Sequence, residues 1–138
     1  MSSDESNNTI TARDRLYGKV TTYESDPHRI AEEIAELRKM LSANPNSLDL
    51  KEWLAIKLYS GDFLDEAVEL FEELINKGHS LETSHFYLGN ACYKRGNALK
   101  AISAWQYVAK AVPHKMRGKK AAARIKKALA ELNEKKGM

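Results

Sequence analysis

A chain of 138 residues, 43% apolar and 30% charged, is long enough for one continuous core and too short for two full-size domains. Its single cysteine, Cys92, excludes an internal disulfide, and no stretch approaches the ~18 apolar residues that a membrane-spanning helix needs. The net charge of +3 hides a division. Between positions 114 and 138, nine Lys and Arg face two Glu, so the rest of the chain is net negative. Such a split predicts a partner that reads charge, or pairing between the two halves.

The first residues, MSSDESNNTI, have neither a basic start nor an apolar run, unlike a secretory signal, which favours a cytoplasmic location. Residues 1–25 are rich in Ser, Thr, Asn and Asp, a composition that predicts a flexible N-terminal arm. A second reading of the arm has Leu16, Tyr17, Val20 and Tyr23 docking on a neighbouring surface, of the same chain or of a second copy. The first firm helix is predicted from Asp26-Pro27 to Ala43, with Asp26 as its cap and Ile30, Ile34, Leu37 and Leu41 as its apolar stripe. Asn44-Pro45 stops it. A second helix, capped by Asn46 or Ser47, presents Leu50, Leu54 and Leu58 and ends near Gly61. A third, about 64–77, presents Ala67, Leu70, Phe71, Leu74 and Ile75, and Gly78 ends it.

From Glu82 to Lys115 the pattern predicts two antiparallel helices joined at Gly96, with Pro113 closing the second. A last helix over about 117–135 places Ala121, Ile125, Ala128, Leu129 and Leu132 on one arc. The inventory is six helices and no strand.

Leu88-Gly89, Cys92, Ala101, Trp105 and Pro113 stand at the offsets of a tetratricopeptide repeat. One period of 34 residues earlier stand Leu54-Ala55, Leu58, Ala67 and Phe71. The chain therefore resembles the tetratricopeptide repeat (TPR) family, with two full repeats at about 48–81 and 82–115. The preceding helix reads as a half unit and the last one as a capping helix, inside one TPR-like domain at 26–136. Gly61 falls one residue early relative to Gly96, which predicts an altered turn in the first repeat.

The resemblance implies an all-α stack of helix hairpins, an α-solenoid, whose first helices line a concave groove. It places Asp49, Glu52, Ile56 and Tyr59 on that face in the first repeat, with Trp53 flanking. In the second repeat it places Thr83, Phe86, Asn90 and Tyr93 there, with Lys94 beside them. Carried into the last helix, the register puts Arg117, Lys120, Arg124 and Lys127 on the groove side. Phe86 and Tyr59 equally suit packing between repeats, and the basic stripe equally suits a solvated capping helix. Some TPR domains clamp acidic chain ends with a Lys/Asn/Lys/Arg set. Here Glu52 stands in place of the first Lys, so that function does not transfer.

No phosphate loop, zinc-binding His pair or cysteine pair occurs, so no cofactor or metal is expected. His85 and Cys92 are seven apart, the spacing of a nucleophile and its base on one helix face, but both occupy packing positions of the repeat. The expectation is a non-enzymatic module that binds a peptide or helix of a protein partner, with an acidic segment as one candidate. A self-assembling scaffold, pairing through stack ends or the arm, is the alternative. Nucleic-acid binding through residues 115–136 ranks lower, because no aromatics interleave the basic run.

Overall fold

Asp26 opens the first helix with its side chain. Its carboxylate accepts the backbone N–H groups of His28 at 3.1 Å and Arg29 at 3.4 Å, donors that a helix start leaves without intrahelical partners. Pro27 follows at the first helical position, where its missing N–H costs nothing. The computed structural model describes residues 26–137, and the arm expected over residues 1–25 lies outside them. The described residues are all-helical, with six helices and no strand. They are α1 (Pro27–Ala43), α2 (Leu48–Ser60), α3 (Leu64–Asn76), α4 (Leu81–Lys94), α5 (Ala98–Ala111) and α6 (Met116–Gly137). Two compact units result, one ending at Asp62 and the other starting at Phe63.

In the first unit α1 packs on α2. Ser47 caps α2, its Oγ accepting the N–H of Leu50 at 3.2 Å. Ile30, Ile34 and Leu37 are buried from α1, and Leu50, Leu54, Ala55, Ile56 and Leu58 from α2. Lys57 is buried among these apolar residues, and its Nζ forms an ion pair with the Glu33 carboxylate on α1. Neither group has a further hydrogen-bond partner among the described residues.

In the second unit each helix packs on the next. Phe71 of α3 stacks on Tyr87 of α4, and Asp65 at the start of α3 meets Arg95 just past the end of α4 at 3.0 Å. These two helices are therefore antiparallel. The α4–α5 pair is antiparallel too, since His85 stacks on Tyr107 while Gly89 touches Trp105. By contrast α6 runs parallel to α4. Arg117 reaches Thr83 and Arg124 reaches Asn90, each partner 34 positions earlier in the chain.

The 34-residue recurrence read from the sequence is visible in burial. Leu54 and Leu88, Leu58 and Cys92, Ala67 and Ala101, Phe71 and Trp105, and Leu74 and Val108 are all buried, pair by pair. It is visible in the turns as well. After α4, Gly96 takes φ +85°, its N–H bonds the carbonyl of Tyr93, and Asn97 N–H bonds that of Cys92. After α2, Asp62 takes φ +66° and its N–H bonds the carbonyl of Tyr59 at 3.0 Å. The first turn thus keeps a left-handed residue 34 positions before Gly96 and differs from the second in what supplies it, Asp62 in place of a glycine. Gly61 caps α2 with φ −90°, a value open to any residue, while Asp62 supplies the left-handed conformation that Asp tolerates better than most.

Gly118 fixes the start of α6. A Cβ there would lie 1.9 Å from the carbonyl oxygen of Val112, so the helix can approach the end of α5 only with glycine at this point.

Candidate functional site: the α4–α6 face

Parallel helices 34 residues apart bring side chains of α6 across those of α4 in register. Phe86 lies at the centre, 6% exposed. The guanidinium carbons of Arg117 and Arg124 stand 5.3 and 5.0 Å from its ring centroid, a cation–π arrangement on both counts. Arg117 donates from Nη1 to Thr83 Oγ1 at 3.1 Å and lies 3.7 Å from the Glu82 carboxylate. Arg124 donates from Nη1 to Asn90 Oδ1 at 2.7 Å. That same oxygen accepts Nε1–H of Trp105 at 3.0 Å. Without Asn90 the buried indole N–H would lose its acceptor, a desolvation cost of about 1–3 kcal/mol. One amide oxygen therefore ties the α4–α5 core to the arginine layer.

At the C-terminal end of α4 the same face turns acidic. The Tyr93 hydroxyl donates to the Glu131 carboxylate on α6. This hydrogen bond pushes the phenol's pKa above its ordinary value, because losing the proton would set two anionic oxygens against each other. Tyr93, Gly96, Ala98, Ala128, Glu131 and Leu132 line an open depression of about 440 Å³ beside it.

The structure brings together Thr83, Phe86, Asn90, Arg117 and Arg124 from the residues expected by pattern, and seats Tyr93 at the end of the same row. Lys94, Lys120 and Lys127 are exposed. In the first unit Asp49 is exposed, Trp53 and Tyr59 are half-buried, and Glu52 and Ile56 are buried at 8% and 2% exposure. Glu82, Trp105 and Glu131 belong to the arrangement on α4–α6 but were not singled out for it by pattern. For Glu131 a signal existed, since it continues the seven-residue spacing of Arg117 and Arg124. No family model, curated protein or solved structure matches the chain.

The His85–Cys92 pair is used otherwise. His85 Nδ1 faces the Leu81 carbonyl oxygen at 2.8 Å and is thereby its donor, and the ring stacks on Tyr107 at 4.0 Å. Cys92 is 1% exposed, and burial raises its thiol pKa, with Lys100 and Arg95 acting in the opposite direction. A nucleophilic cysteine needs the reverse shift.

Proposed function

We propose that this protein is a non-enzymatic interaction module that holds a segment of a protein partner along the α4–α6 face, within a TPR-like stack. One observation carries the reading. Arg117 and Arg124 are laid across Phe86 and fixed by Thr83 and Asn90, with Lys120 and Lys127 exposed on the same side of α6. The two arginines, whose long side chains are already held in place, lose little further entropy when a ligand arrives. The 34-residue recurrence of buried positions supports the repeat architecture on which the face depends.

The experiment is a peptide array of the host's own proteins probed with the native chain and with Lys120→Glu/Lys127→Glu. Both positions are exposed, so the variant's circular dichroism should match the native spectrum. Native binding to a defined set of peptides, lost in the variant, is the expected result. Identical binding by both proteins would move the interface off this face.

A further inference from the structure

Arg117, Lys120 and Arg124 lie within about two turns of α6, at the i, i+3, i+7 spacing of one helix face. Counter-charge is scarce there. Glu82 stands 3.7 Å from Arg117, whereas among the described residues Arg124 meets the neutral amide of Asn90 and the ring of Phe86, and Lys120 is exposed. Because both guanidiniums lie over the same ring, at 5.3 and 5.0 Å, their centres are within about 10 Å of each other. Each guanidinium carries five N–H donors, and the hydrogen bonds to Thr83 and Asn90 engage one nitrogen of each. Arg117 and Arg124 are half-buried and Lys120 is exposed, so the cluster stays within reach of solvent.

Charge and valence then select the ligand. Three cations against one carboxylate leave a residual charge of about two. A single side-chain carboxylate or a phosphodiester brings one negative charge. A phosphomonoester brings about −1.5 to −2 at neutral pH, with three strong acceptor oxygens to share among three cationic groups. Resting on the interaction-module reading, we propose that the α4–α6 face anchors its partner through a phosphorylated Ser or Thr side chain, seated between Arg117, Lys120 and Arg124.

The test is calorimetric titration of the full chain with N-acetylated Gly-Ala-X-Ala-Gly amides, where X is phosphoserine, Glu or Ser, and with inorganic phosphate. The phosphoserine peptide should bind at least about tenfold more tightly than the Glu peptide, in line with its additional charge-assisted hydrogen bonds. Its affinity should fall several-fold as pH drops through ~6, where the phosphate takes up its second proton, while the Glu peptide is indifferent over that range. Lys120→Gln, at an exposed position that leaves the fold intact, should weaken phosphoserine binding several-fold, and Arg124→Gln more so. Lys126→Gln, on the opposite flank, should not change it.

Equal affinity for the phosphoserine and Glu peptides would overturn the phosphate assignment and leave the module reading standing. Inorganic phosphate binding as tightly as the peptide would overturn the peptide source in favour of the free ion. No binding by any of the four probes would overturn the proposal. The module reading would then be decided separately by the array and its Lys120→Glu/Lys127→Glu variant.

Discussion

Gly89 presents its bare Cα to the indole of Trp105, and a Cβ at that point would lie 2.4 Å from the ring nitrogen. The ring cannot swing aside without giving up its hydrogen bond to Asn90. Gly89→Ala gains up to about 1 kcal/mol of helix propensity but overpacks the core, which costs about 1–3 kcal/mol and sometimes more. The clash should win, and urea unfolding should report a loss of about 2 kcal/mol. Gly118→Ala should be worse still, since the obstructing atom is the backbone oxygen of Val112 and not a side chain.

Lys57 and Glu33 form a pair whose two charges depend on each other. Lys57→Met leaves the Glu33 carboxylate buried and uncompensated, and should cost about 3–5 kcal/mol in denaturant unfolding. Replacing both, as Glu33→Leu/Lys57→Met, removes the desolvation cost together with the attraction. The double variant should recover most or all of the native stability. A double variant as unstable as the single one would show that the ion pair itself carries net stability.

The Tyr93–Glu131 bond predicts a pH dependence with a definite sign. The phenol's pKa is raised in the folded chain, chiefly by its hydrogen bond to the carboxylate. Its contribution to stability is therefore complete below the ordinary tyrosine value near ~10, and is lost as pH rises through the raised folded value. Glu131→Gln should return the phenol toward ordinary. The chain has six tyrosines, so a difference titration between native and variant proteins is needed to isolate this one.

Cys92 should resist alkylation in the folded protein. Its thiol is 1% exposed and its pKa is raised by burial, so both access and thiolate fraction are reduced. Iodoacetamide labelling should be at least about tenfold slower in native buffer than in urea at the same pH. Equal rates would mean that α4 opens readily around this residue.

The helix ends were legible because each has a local chemical cause. Asp26, Ser47, Gly78 and Gly96 act within one turn of where they stand, and a cap or a left-handed residue can be recognised without knowing the fold. The buried positions were legible because the same pattern recurs after 34 residues. The Lys57–Glu33 pair was not, since a Lys and a Glu on successive helices look like surface residues until the helices are packed. Gly118 was overlooked for a similar reason, because what it must avoid is the Val112 carbonyl across the α5–α6 turn. For the site, the register implied by the resemblance put Arg117 and Arg124 on the groove side of the last helix but not against the Phe86 ring. An arginine has several rotatable bonds, and its final direction is set by neighbours and not by its own helix.

The parallel run of α4 and α6 has one more consequence. On α4, His85, Leu88, Gly89 and Cys92 are half-buried or buried, and Gly89 and His85 meet α5. The residues 34 positions later, Lys119, Ala122, Ala123 and Lys126, are all exposed. Four positions thus distinguish α4, which packs on the helix that follows it, from α6, the last helix of the described residues. Grafting the α4 set onto those positions and appending a duplicate of the α5 sequence is therefore expected to give α6 a packed follower, read as added helicity by circular dichroism.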